Sequence, residues 1–161
     1  MEDEFYVRFE EKYRGTRELI KNRQKVYLPF LEILKEISAD RSVIDMGCGR
    51  GEWLELLHEN EWRGVGVDIN ENMVEYCKGL GLSAVKSDAI SYLHSIDSEL
   101  ISVVSGFHIS EHLPFELLQE LVKEAYRVLR PGGLLILETP NPENIAVGTS
   151  SFYIDPSHNH P

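Results

Sequence analysis

Three side chains in "GFHISEHLPF" could do acid–base or metal chemistry within five positions: His108, Glu111 and His112. The spacing H-x-x-E-H is that of one group of zinc peptidases, where two imidazoles hold the metal beside a carboxylate. The same residues at the end of a strand could instead serve a site of another kind, with an imidazole that titrates near neutrality. A second set of residues bears on the choice. "VIDMGCGRGEW" holds Gly47, Gly49 and Gly51 directly after an apolar run. Glycine tolerates positive φ and lets a ligand approach the backbone closely. The helix expected to follow offers unpaired N–H groups to a ligand. Twenty-one positions after Gly47 stands Asp68, and "KSDAI" adds Asp88. A carboxylate at the end of the second strand can accept both ribose hydroxyls of an adenosine. Asp88, one strand further on, could accept from an adenine amino group.

The loop fits either a dinucleotide or another adenosine ligand. The dinucleotide fingerprint G-x-G-x-x-G asks for a glycine at position 52, where Glu52 stands. A glutamate at the helix start would set like charges against a pyrophosphate. No G-x-x-x-x-G-K-[ST] loop occurs either. The residues describe a site for adenosine with little or no phosphate, and a cation on the ligand would explain the surplus of acids at Asp45, Asp68 and Asp88. A nicotinamide oxidoreductase is the weaker alternative on these grounds.

These residues must be positioned by regular elements. From Arg17 to Ile37, apolar residues at Val26, Phe30, Ile33, Leu34 and Ile37 form a helical stripe. "RSVIDMG" reads as a strand, "GEWLELLHEN" as a helix with Trp53, Leu54 and Leu57 on one side, and "GVGVDI" as a second strand. Asn70 is a good cap for "ENMVEYCKGLG". "SAVKSD" is a short third strand, followed by a weak helix through Tyr92 and Leu93. "LISVVSGF" suits a strand buried on both faces. Pro114 opens a helix whose inner face carries Leu117, Leu121, Val122, Ala125, Val128 and Leu129. "RPGG" stops that helix and "LLILET" is a fifth strand. Strands alternating with helices imply a doubly wound, Rossmann-like α/β domain with helices on both faces of a parallel sheet. Ligands bind such sheets at the carboxyl ends of the strands, where the strand order reverses.

The 161 residues suffice for one domain, read as an amino-terminal helical segment over 1–40, a binding core over 41–140 and a carboxyl-terminal loop over 141–161. Sixteen bases against 27 acids give a net charge of -11, which makes nucleic acid and anionic membrane poor partners. The one basic cluster, Arg14, Arg17, Lys21, Arg23 and Lys25, reads as a solvated helix face. No apolar run approaches the roughly 20 residues that span a bilayer. The acidic start lacks the features of a secretory signal, and Cys48 and Cys77 make no disulfide framework, so a reduced, cytoplasmic setting is expected.

The motifs "VIDMGCGRGEW", "GVGVDINENMV", "VKSDAISYL", "SVVSGFHISEHLP" and "AYRVLRPGGLLILETPNPEN" occur in the order and spacing of class I S-adenosylmethionine-dependent methyltransferases, which the chain resembles over 42 to about 144. The resemblance implies methyl transfer from S-adenosyl-L-methionine, leaving S-adenosyl-L-homocysteine. It implies that Gly47, Cys48, Gly49 and Gly51 frame the methionine part, with Asp45 near its ammonium. Asp68 would take the ribose and Ile69 pack on the adenine. Asp88 would meet the adenine amino group, and Ala89 its ring. Phe107 and His108 would line the sulfonium, and Arg14 in "EKYRG" is a further ligand implied by similar segments.

Zinc would need His108 and His112 one turn apart on a helix. The preceding residues are strand-like and Pro114 disfavours helical geometry at Leu113, so no metal is expected. For a hydroxyl acceptor the general base expected is His112, with Glu111 second. The segment "SFYIDPSHNHP" is similar to one in methyltransferases of glycan and cell-surface polysaccharide synthesis, which favours a sugar hydroxyl or other small molecule as acceptor. Asp155, His158 and His160 in it form a flexible rim rather than a metal cluster. The family's sheet has two further antiparallel strands for which no sequence follows "LLILET". The chain is therefore expected either to be part of a larger enzyme or to cover that edge with a partner, as in a homodimer. A cofactor-binding module without catalysis is the alternative.

Overall fold

The computed structural model describes residues 15–141. Arg14, Asp155, His158 and His160 lie outside them. Two helices come first, α1 (Arg17–Gln24) and α2 (Leu28–Ile37), joined by a 3-10 turn at Lys25–Tyr27. Then follow β1 (Ser42–Met46), α3 (Glu52–Glu59), β2 (Arg63–Asp68), α4 (Glu71–Gly79), β3 (Ala84–Lys86), α5 (Ala89–His94), β4 (Ile101–Phe107), α6 (Phe115–Val128) and β5 (Leu129–Glu138). The strands form one sheet in the order β3-β2-β1-β4-β5, and every pair is parallel. The chain works outward from β1 to β3, then crosses back to β4, so the order reverses between β1 and β4. This is the doubly wound architecture expected.

The alternation of strand residues builds a core on each face. Val43 and Val103 join Leu31, Leu34, Trp53, Leu57 and Val74 on one side. Ile44, Val67 and Val104 join Leu93, Leu121, Ala125 and Val128 on the other. The α4 and α5 helices start on side-chain caps, Asn70 accepting from Asn72 N–H at 2.9 Å and Asp88 from Ser91 N–H at 2.8 Å.

Three local expectations differ. Of the apolar stripe over 17–37 only Leu34 faces the core, together with Leu31, while Val26, Phe30, Ile33 and Ile37 face outward, Val26 62% and Ile37 66% exposed. The 3-10 turn and Pro29 break the helix into two, and the first piece buries the polar Lys21 and Gln24. On α6, Leu121, Ala125 and Val128 are buried but Leu117 and Val122 are exposed; Glu124 takes a buried place instead, held by Arg127 at 2.7 Å. "RPGG" ends α6 yet lies within β5 as an irregularity: Leu129 pairs with Ile101, and the ladder resumes at Leu134 with Val103. Among the described residues no strand lies on the far side of β5, and no helix is long and apolar enough to cross a membrane.

Candidate functional site

The carboxyl ends of β1, β2 and β4 converge at the reversal point. Between β1 and α3 the chain turns through Gly47, Gly49 and Gly51 at φ 67, 50 and 75. Gly51 caps α3, and a Cβ there would meet Cys77 Sγ at 2.7 Å. Gly47 N–H and Cys48 N–H both reach back to Val67 O, at 2.8 and 3.2 Å, which anchors the loop to β2.

Asp68 ends β2 and braces the loop as well. Its Oδ2 accepts from Gly49 N–H at 2.9 Å and its Oδ1 from Asn70 N–H at 2.8 Å. Each carboxylate oxygen keeps lone-pair capacity for a ligand hydroxyl. One amide that a phosphate would otherwise take is therefore already committed to a negative charge. Glu52 is buried and turned to Arg50, 2.8 Å away.

Asp45 lies at the floor of the crevice, 2% exposed. Its Oδ1 accepts from Ser105 Oγ at 2.8 Å, and Ser105 in turn accepts from the Trp53 indole N–H at 3.1 Å. Burial is the main force pushing this carboxyl up to about 7, opposed by Ser105 and reinforced by the charges of Asp68 and Glu52.

At the end of β4, Phe107 packs against Trp53 and Tyr27, with ring centroids 5.3 and 5.5 Å away. His108 follows at φ 57, its N–H donating to Glu138 O at 2.8 Å. A left-handed conformation is uncommon at residues other than glycine, histidine being among those that adopt it more readily, and Glu61 and Glu99 share it here. The imidazole lies between two acids, Nδ1 at 3.3 Å from Glu111 Oε1 and Nε2 at 3.8 Å from Glu138 Oε1. Glu111 is 4% exposed and its Oε2 accepts from Thr139 Oγ1 at 3.0 Å. Burial works to raise its carboxyl, but the neighbouring His108 imidazole, its own N–H and the Thr139 hydroxyl outweigh this and hold it low. Tyr27 OH donates to Glu138 Oε2, and burial with that partner pushes the phenol up to about 12. His112 closes a 3-10 turn over Ser110–His112. His108 thus precedes the turn that carries His112, and the two do not share an α-helical face.

The remaining residues named from the sequence are placed as follows. Ile69 is 73% exposed beside Asp68, and Ala89 opens α5 against the core. Asp88 stands two residues beyond β3, and its Ser91 partner holds the carboxyl low. Sequence reasoning missed Ser105, Tyr27, Glu138, Thr139 and Arg17. Glu138 had the same signal as Asp68, an acid closing a strand.

Glycine loop and strand-end acids thus meet at the reversal point of a doubly wound domain. Residues 17–160 match the methyltransferase domain family, and the chain belongs to that family, with class I S-adenosylmethionine-dependent enzymes as its structural neighbours. An S-adenosylmethionine-dependent methyltransferase from Archaeoglobus fulgidus is 42% identical, with a TM-score of 0.88 over 98% of this chain and 67% of its own. A probable S-adenosylmethionine-dependent methyltransferase of Mycolicibacterium smegmatis is 31% identical over 64% of this chain and 39% of its own. A tRNA N(3)-methylcytidine methyltransferase of Schizosaccharomyces pombe is 27% identical over 83% of this chain and 47% of its own. The chain spans less than half the length of these two curated relatives.

Proposed function

We propose that the chain binds S-adenosyl-L-methionine and transfers its methyl group to a hydroxyl of a sugar or other small molecule. The observation that carries the proposal is the pairing of Asp68 with Gly49 N–H beside the buried Asp45. That arrangement repels phosphate and suits a ribose next to a cation. In the proposal Gly47, Cys48, Gly49 and Gly51 frame the methionine part, Asp45 meets its ammonium, and Asp68 holds the ribose. Ile69, Asp88 and Ala89 border the adenine, with Phe107 and His108 beside the sulfonium. When bound, the sulfonium supplies an electrophilic methyl group, so these residues chiefly hold the reacting atoms in line. A reducing, cytoplasmic setting and self-association through the open β5 edge belong to the same proposal.

Removal of the acceptor proton falls to the segment from His108 to His112. Glu111 is buried with Oε2 taken by Thr139 and Oε1 beside His108, contacts that suit orienting an imidazole. The base is His112 or the His108 that Glu111 orients. Methyl transfer to a panel of sugars, small phenols and tRNA, read by S-adenosylhomocysteine release, tests acceptor and base together. In His108→Asn or His112→Ala, turnover on the accepted hydroxyl should fall about a hundredfold, with cofactor affinity kept in His112→Ala. Full turnover in both removes the segment as base, and turnover on tRNA alone replaces the small-molecule reading. A nucleic-acid acceptor is disfavoured by the charge of -11 and by Arg17 and Lys21, which are engaged in ion pairs with α3.

The Asp45 assignment carries a pH signature. A carboxyl pushed up to about 7 keeps its proton in the folded chain where the unfolded chain has lost it. Its contribution to stability is therefore greatest below about pH 4 and declines as pH rises to about 7. A cationic ligand reverses the preference, because it favours the ionised carboxylate. S-adenosylhomocysteine, which keeps the ammonium, should bind about tenfold tighter per pH unit up to about pH 7 and level off above it. Calorimetry in buffers of different ionisation heat should detect proton release, and Asp45→Asn should flatten the profile. A flat profile in the native chain would remove Asp45 from the cation.

A further inference from the structure

Three glycines of positive φ leave the loop before α3 free to adopt several shapes, so contacts outside it must fix one. Asp68 supplies the first, through Gly49 N–H. The second comes from α1, outside the sheet. Arg17 donates from Nη1 to Arg50 O at 2.8 Å and from Nη2 to Gly51 O at 3.3 Å. Its Nε donates to Glu55 Oε2 at 2.5 Å, one turn into α3. Arg50 completes the link in the other direction, donating to Gly15 O at 3.3 Å while paired with Glu52 at 2.8 Å.

These contacts exceed what docking a helix requires. Lys21 on the same helix docks it through side chains alone, donating to Glu59 Oε1 at 2.5 Å and pairing with Glu55 at 3.3 Å. Arg17 differs in grasping two consecutive backbone carbonyls of the loop, which takes a planar fork of donors and not a point charge. Arg50 O precedes the helix, where a carbonyl looks outside the ladder for a donor. Gly51 O also accepts from Glu55 N–H at 3.0 Å, so the guanidinium joins the loop to the first turn of α3.

We infer that Arg17 is a positioning residue for the glycine loop, a latch by which α1 holds the loop in the shape that receives the cofactor. The inference rests on the reading of that loop as the cofactor site. Three variants of the whole chain test it: Arg17→Lys, which keeps the charge and loses the fork; Arg17→Ala; and Lys21→Gln, which cuts only the ion pairs of Lys21 with Glu55 and Glu59. Amide hydrogen exchange at Gly49 and Gly51 is followed without ligand, and affinity for S-adenosylhomocysteine is measured by calorimetry. Both Arg17 variants should speed exchange at these amides and weaken binding about tenfold, the scale of one or two charge-assisted hydrogen bonds. Lys21→Gln should lower the melting temperature and leave both readouts as in the native chain. Unchanged exchange in Arg17→Lys overturns the inference, as does a Lys21→Gln response equal to it. Faster exchange in the Arg17 variants of a chain whose native form binds no S-adenosylhomocysteine upholds the latch and rejects the cofactor reading instead.

Discussion

Replacing Asp68 with alanine should weaken S-adenosylhomocysteine binding at least about a hundredfold, the largest loss expected from any single side chain of the crevice. The size follows from the proposed pairing of this carboxylate with two ribose hydroxyls, each hydrogen bond worth about 1.5–3 kcal/mol, where about 1.4 kcal/mol is tenfold in affinity. The structure adds a second reason. Asp68 already accepts from Gly49 N–H and Asn70 N–H, so alanine strands two backbone donors and loosens the loop. Asp68→Asn separates the effects in part. It keeps the shape and one oxygen, but turns an NH2 group toward a backbone N–H or a ribose hydroxyl. Its affinity should fall between the native and alanine values. Calorimetry returning near-native affinity for Asp68→Ala would show that the ribose is held elsewhere.

Much of this site was legible in the order of residues along the chain. In a parallel sheet every strand points its carboxyl end the same way, so an acid that closes a strand lands on the ligand side. Asp45, Asp68 and the glycine loop follow from that rule, as do Phe107 and His108 at the end of β4. Glu138 closes β5 and fell under the same rule. It was passed over because its role depends on Tyr27, 111 positions earlier, and only the packing of α2's leading turn on the β4 end brings them together. Ser105 was visible as a polar residue in an apolar strand, but not its place between Trp53 and Asp45. The amino-terminal helices were misread for a physical reason. An apolar stripe tells that a helix has two faces and does not tell which one is covered. Here ion pairs of Arg17 and Lys21 fasten α1 to α3, Leu31 and Leu34 seat α2 in the core, and Val26, Phe30, Ile33 and Ile37 are left outside. A basic cluster that reads as a solvated face is, in part, the seam that fastens α1 to α3 and the glycine loop.

Gly66→Ala should be the most destabilising conservative change in the sheet. A Cβ built at Gly66 falls 2.5 Å from Cys48 Sγ, 2.6 Å from Leu54 Cδ1 and 2.7 Å from Cys48 Cβ. Gly64, two residues earlier on the same face, has 3.0 Å to both Leu54 Cδ2 and Leu57 Cδ1. The "RGVGVD" strand therefore carries glycines where α3 and the glycine loop lie directly on β2, and Val67 serves the opposite face. That close approach brings Gly49 N–H within reach of Asp68. Alanine at 66 must displace Cys48, Leu54 or both, and neither has open space to enter because both are buried. Overpacking of this kind costs about 3 kcal/mol. For a chain of this size the melting temperature should fall by roughly 6–12 °C. Cofactor affinity should fall with it, since the displaced atoms belong to the loop. A second change, Cys48→Ala, removes the sulfur at the shortest contact and should return part of the loss, so the two substitutions couple favourably. A single Gly66→Ala that melts within a degree or two of the native chain would mean that α3 is not seated this closely, and the reason given for the loop's position over the strand ends would fall with it.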